Sequence, residues 1–173
     1  MKPRGFSLLT LMIALAVLGV ALSLGAPALQ ALVQQQRRAL LADQLLAALR
    51  SARVEAILRH RVVQVQAHPS GWGHGWQTVL DLNGAGARDP DNPVLVVRQL
   101  GARVRVVGNH WLTRSVRFDA LGRPASVNGA FQAGRLHLCA LDRPVSDRRI
   151  VLSHTGRVRL ETGPVDEALC APA

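Results

Sequence analysis

The chain has 173 residues, and its 21 Lys+Arg against 11 Asp+Glu give a formal net charge of +10, with Lys2 the only lysine. That length holds one modest domain and one long helix, which excludes a large multidomain enzyme. An apolar share of 49% excludes a disordered polycation, and aromatics at 3% leave too few platforms for a base-stacking nucleic-acid module.

The first element lies at the front. From Phe6 to Gln36 there is no charged side chain, and Phe6 to about Ala28 is apolar, small or hydroxyl-bearing. About twenty such residues in a helix cross a hydrocarbon core of roughly 30 Å. Lys2 and Arg4 stand before the run, so the positive-inside rule keeps that end in the cytoplasm and exports the rest of the chain. A cleaved secretory signal also has a basic start, but its apolar stretch is shorter and ends at a cut site, whereas this one runs on into a helical pattern.

The string Lys2-Pro3-Arg4-Gly5-Phe6-Ser7-Leu8-Leu9-Thr10-Leu11-Met12 resembles the prepilin leader of type IV pilins and type II secretion pseudopilins. The resemblance implies cleavage after Gly5 by a prepilin peptidase, N-methylation of Phe6, and retention of the apolar helix as membrane anchor and later filament core. Where that family carries Glu at the fifth residue after the cut, this chain has Thr10. In the family the carboxylate meets the terminal amine of a neighbouring subunit, and a hydroxyl offers no such countercharge. Thr10 therefore suits a rare subunit at or near a filament tip, or else a different neighbour compensates.

Pro27 removes one backbone bond and is expected to bend the helix. Beyond it, residues 29–60 form a second helical half, with apolar positions Leu41, Leu45, Ala48 and Leu49 and a second set Leu46, Val54, Ile57 and Leu58. Arg37, Arg38, Arg50, Arg53 and Arg59 fall mostly off that stripe. The predicted organisation is a leader at 1–5, a transmembrane helix at 6–28, a periplasmic helical half at 29–60 and a β-rich head at 61–173.

In the head, period-two alternation predicts strands at Val62–Ala67, Val94–Leu100, Arg103–Val106, Arg135–Leu141 and Arg149–Ser153. Turns are expected at Asn83-Gly84, Leu121-Gly122-Arg123-Pro124 and Asn128-Gly129. Short strands after one long helix predict an α+β, pilin-like fold with antiparallel sheet packed on the helix.

Cys139 and Cys170 are the only cysteines. In an oxidising compartment one disulfide would close a loop of about 32 residues and stabilise the fold by roughly 3 to 4 kcal/mol. Two free thiols are the alternative. Asp81-x-Asn83-x-Ala85-Gly86 resembles the start of a calcium loop, but Ala85 and Asn92 stand where two strong oxygen ligands belong, so a turn with Asp81 and Asn83 bonding their own backbone is expected, and no metal or cofactor. Trp72 and Trp76 are expected to pack.

Ile150-Val151-Leu152 and Val158-Arg159-Leu160, joined near Thr155-Gly156, form a predicted hairpin. Alternation then buries Val158 and sets Arg157 and Arg159 on one exposed face, roughly 7 Å apart. Two guanidinium forks at that spacing fit neighbouring phosphates, and Arg143, Arg148 and Arg149 could join them. The alternative is a merely solvated hairpin face.

Gly71-Trp72-Gly73-His74-Gly75-Trp76, Asp81 to Asp89, Leu138-Cys139 and Ser153-His154-Thr155-Gly156-Arg157-Val158-Arg159 with the late Cys170 together resemble the GspH/FimT group of minor pilins and pseudopilins. The resemblance implies partnership with other pilins or pseudopilins. In FimT-type pilins Gly156-Arg157-Val158-Arg159 corresponds to a motif contacting double-stranded DNA in natural transformation. In a type II secretion pseudopilin of the H kind, the same face would contact an acidic sister subunit or cargo. An enzyme is not expected: the six histidines form no metal-binding spacing, and no nucleophile elbow or phosphate-cradling loop occurs. Mass spectrometry of the native product should find methylated Phe6 as the first residue. A start beyond Ala26 would overturn the prepilin assignment.

Overall fold

The computed structural model describes residues 8–101, 104–140 and 144–171. These divide into two compact units, one up to Gln36 and one from Arg37. The processing positions Gly5 and Phe6 lie outside the described residues. Helix α1 (Leu8–Arg59) contributes to both units and holds Pro27 within it, continuing on either side. The most apolar window of α1 has a mean hydropathy of 2.5 and is unburied, so by length and composition this helix can cross a membrane. Thr10 and Pro27 are both exposed on it.

The second unit contains eight described strands. They are β1 (Val62–Ala67), β2 (Gly75–Asp81), β3 (Val94–Gln99), β4 (Arg105–Gly108), β5 (Ser115–Phe118), β6 (Gly134–Cys139), β7 (Val145–Leu152) and β8 (Val158–Asp166). Two four-stranded sheets result, ordered β3-β2-β1-β5 and β4-β6-β7-β8. Every pairing is antiparallel. The fold is the expected α+β arrangement, with both sheets sharing one core with the helix. That core joins Leu41, Ala42, Leu45, Leu49, Ala52 and Ala56 to Val63 and Val65 of the first sheet and to Leu136, Leu138, Ile150 and Leu152 of the second.

The helical stripe differs in part from the sequence expectation. Val54, Ile57 and Leu58 are exposed, and alanines at 42, 52 and 56 take the core positions. Small side chains let the helix backbone approach two converging sheets, where larger ones would hold it off. Two strands escape the period-two pattern. β2 is a central strand with both faces partly covered, so buried residues do not alternate along it. β5 carries a buried Arg117, which reads as polar until its partner is seen.

That partner is Asp81 at the end of β2. Its Oδ2 accepts from Arg117 Nη2 at 2.6 Å, while its Oδ1 accepts the backbone N–H groups of Gly84 at 2.8 Å and Gly86 at 3.0 Å. Asn83 Oδ1 accepts from Ala85 N–H at 3.0 Å. The Asp81–Asn83 segment is thus a turn whose acidic oxygens are occupied by the chain itself. Trp72 and Trp76 are both core residues, and Trp72 Nε1 donates to the Leu112 carbonyl at 2.9 Å.

Cys139 and Cys170 form a disulfide, with Cα atoms 5.4 Å apart. It fastens the last described turn, Ala168–Cys170, to β6. Arg105 assists, its guanidinium donating to the carbonyls of Leu169 and Cys170, each at 3.3 Å.

Asp81→Ala should destabilise the protein by about 3–5 kcal/mol, because Arg117 would remain buried without a countercharge. In denaturant unfolding, the double change Asp81→Ala with Arg117→Met should recover much of that loss. Unchanged stability in the single variant would show that the pair does not hold the two strands.

Candidate functional site

The β7–β8 hairpin forms with the expected register: Leu152 pairs with Val158, Val151 with Arg159 and Ile150 with Leu160. Its loop is His154-Thr155-Gly156. Ser153 N–H donates to the Arg157 carbonyl and Gly156 N–H to the Ser153 carbonyl, each at 3.0 Å, and Ser153 Oγ accepts from Arg157 N–H at 3.1 Å. Gly156 has φ +84°, the left-handed conformation that closes a three-residue hairpin loop.

Gly156 is needed for a second reason. A Cβ built there would lie 2.1 Å from the Gly122 carbonyl oxygen, so two turns touch backbone to backbone. Arg53 of α1 serves both, with Nε donating to the Gly122 carbonyl at 3.0 Å and Nη2 to the Thr155 carbonyl at 3.5 Å. One turn earlier, Arg50 donates Nε and Nη2 to the Val158 carbonyl at 3.3 and 3.1 Å. The hairpin therefore rests on two helical arginines. The residues Gly156-Arg157-Val158-Arg159 stand on a braced support, unlike a free loop tip.

Arg157 and Arg159 are exposed on either side of buried Val158. Their face is the one turned from the core, opposite to that of Ile150 and Leu152. Glu161 lies on it too. Arg149 Nε donates to Glu161 Oε2 at 2.7 Å, and Arg159 Nη2 donates to Oε1 at 2.9 Å. The Glu161 carboxyl is held below the usual carboxylate range by its hydrogen bonds from Arg149 and Arg159. Two of the four arginines on this face thus share one half-buried anion.

The other two are Arg157 and Arg135. The latter lies on β6, paired with Val151, and is exposed. Sequence reasoning marked Arg135 only as the start of a strand. Nothing local distinguishes it, because its place beside the hairpin comes from a pairing sixteen residues away. His137 sits on the same face, paired with Arg149 and nearly buried, with Nε2 3.4 Å from Glu167. Burial holds its imidazole below the ordinary 6.5; Glu167 opposes this, and the charges of Arg135 and Arg149 add to it.

The remaining expected residues part company. Arg148 pairs with Leu138 and Thr162, which puts it on the core-side face of β7, away from Arg149. A register shift between Ser146 and Arg148 accompanies this, and the neighbouring Asp147 pairs with Arg38 of α1 at 2.8 Å. Arg143 lies outside the described residues. Among the described residues, no group of three or more His, Cys, Asp or Glu side chains could hold a metal ion.

Residues 41–156 match the GspH family, described as type II transport protein GspH. Among solved structures, the chain resembles two crystal forms of the type IV minor pilin FimU of Pseudomonas aeruginosa strain PAO1. One is 22% identical with a TM-score of 0.61, covering 79% of this chain and 97% of that one. The other is 22% identical with a TM-score of 0.58, covering 76% and 98%. At that identity the likeness is one of fold. No curated protein sequence matches significantly.

Gly156→Ala should lower the unfolding free energy by about 1–3 kcal/mol, since it forces a side chain into a left-handed conformation and against the Gly122 carbonyl. Thermal denaturation monitored by circular dichroism would check this. An unaltered melting temperature would mean that the two turns do not touch.

Proposed function

The chain belongs to the GspH family, and on that premise we propose that it is a minor type IV pilin that takes part in pilus assembly and priming and contacts double-stranded DNA without sequence preference. The contact runs through Arg157 and Arg159. The observation that carries this reading is the geometry of the hairpin. Two arginines stand on one exposed face, their backbone positions about 7 Å apart along the strand, with Val158 buried between them and the turn braced by Arg53. Fork-shaped donors at that spacing suit successive phosphates. Contacts to phosphates alone position a protein on DNA and carry no sequence information.

The inner-membrane anchor and the periplasmic head belong to the same proposal. The apolar helix α1, the basic residues Lys2 and Arg4 ahead of it, and the disulfide, which suits an oxidising compartment, all support them. Cleavage after Gly5, methylation of Phe6 and partnership with other minor pilins follow from the leader and the family. Arg149 contributes to the basic face once Glu161 is displaced. Arg148, on the opposite face, has no part in it.

A second reading is favoured by the family description itself, which names type II transport. There the chain is a minor pseudopilin, and the basic face meets an acidic sister subunit or secreted cargo.

Gel-shift titration of full-length protein in detergent against double-stranded DNA separates the two. At low salt the wild type should retard DNA, with the shift fading as salt rises, and Arg157→Ala with Arg159→Ala should remove most of it. No shift by the wild type, or equal binding by the double variant, would overturn the DNA contact and leave the pseudopilin reading.

A further inference from the structure

The reading of Arg157 and Arg159 as contacts to double-stranded DNA leaves open which residue meets the second backbone, and this inference rests on that reading. We propose that Arg135 is a third phosphate-binding residue, and that the resulting patch is shaped for the two backbones of a duplex in preference to a single strand.

The sheet register places it. Arg135 of β6 pairs with Val151 of β7, and Val151 pairs in turn with Arg159 of β8, so the three occupy one cross-strand row. All three point away from the core, because their neighbours Leu136, Ile150, Leu152 and Val158 fill it. Two strand spacings separate Arg135 from Arg159, which is roughly 9.5 Å at right angles to the Arg157–Arg159 direction. Val151 between them is only 9% exposed, as expected for an apolar side chain flanked by two long arginine stems.

Three cations at the corners of a right angle cannot all follow one extended backbone. Two rows of phosphate suit them. The B-DNA minor groove is about 6 Å wide and the major groove about 12 Å, and a separation near 9.5 Å lies between these, within reach of flexible arginine side chains. Arg157 and Arg159 would follow one strand while Arg135 holds the strand across the groove.

The charges around Arg135 agree. Among the described residues its guanidinium is paired with no carboxylate, and neither is that of Arg157, so no intramolecular anion has to be displaced from either. Arg159 differs, being engaged by Glu161. A further acid near this face, Glu167, lies against His137. Glu161 therefore acts as a tethered anion that competes with an incoming phosphate for Arg159 and Arg149.

Fluorescence anisotropy with full-length protein in detergent, titrated across salt, tests the proposal with a labelled duplex and with one of its strands alone. Arg135→Ala should weaken duplex binding and reduce the slope of log affinity against log salt by about 0.9, the loss of one phosphate contact. Single-strand binding should change little. Arg135→Lys should keep the slope, because it keeps the charge, and Glu161→Gln should tighten duplex binding. If Arg135→Ala leaves duplex affinity and slope unchanged while Arg157→Ala with Arg159→Ala abolishes binding, the third contact is wrong and the hairpin contact stands. Equal weakening on duplex and single strand would overturn the preference for a duplex. Failure of the wild type to bind either would overturn both readings.

Discussion

The packing of one helical seam against two sheets is the constraint on which the rest of the head depends. Leu45 and Leu49 of α1 are essentially buried, and so are Ala42, Ala52 and Ala56. Each fully buried leucine contributes about 1.5–3 kcal/mol of transfer free energy, while the alanines contribute little area and instead allow close approach. The two sheets have separate hydrogen-bond ladders, so the helix and the apolar side chains they share are what unite them. A bulkier seam would force the sheets apart and open the core to water.

The same helix face supplies a polar register beside the apolar one. Arg50 and Arg53 donate to carbonyls at the β7–β8 hairpin, and Arg53 reaches the Gly122 turn as well. Apolar packing alone is tolerant of small slides, whereas hydrogen bonds to particular carbonyls are directional. The support beneath Arg157 and Arg159 is therefore specified by arginines whose guanidinium groups are taken up by backbone carbonyls. This divides a basic composition into cations that hold the fold and cations that face solvent. The formal charge of +10 cannot make that division.

Much was legible along the chain because it depends on neighbours a few residues apart. The apolar run at the front, the helical repeat through Leu41, Leu45 and Leu49, and the alternation in Val62–Ala67 and Val158–Leu160 are local periodicities. The Asp81–Asn83 turn and the left-handed Gly156 are local too. Where the expectation failed, the cause was a partner far away in sequence. β5 was obscured by Arg117, whose charge is buried only because Asp81 meets it. Val54, Ile57 and Leu58 look like core by spacing, yet both sheets lie on the other side of the helix.

The candidate site divides in the same way. Alternation along one strand was enough to put Arg157 and Arg159 together, since successive side chains of a strand must point to opposite faces. The expected strand began at Arg149 and so left Arg148 unassigned, whereas β7 starts at Val145 and puts the two on opposite faces; nothing local says that Glu161 bridges Arg149 to Arg159. By itself the sequence determined a long apolar helix, a strand-rich head and one basic hairpin, because each follows from side-chain period and turn chemistry within a short window. Only the tertiary structure decided which cations are free, which are paired and which lie side by side, because cross-strand register brings together residues that no local period relates.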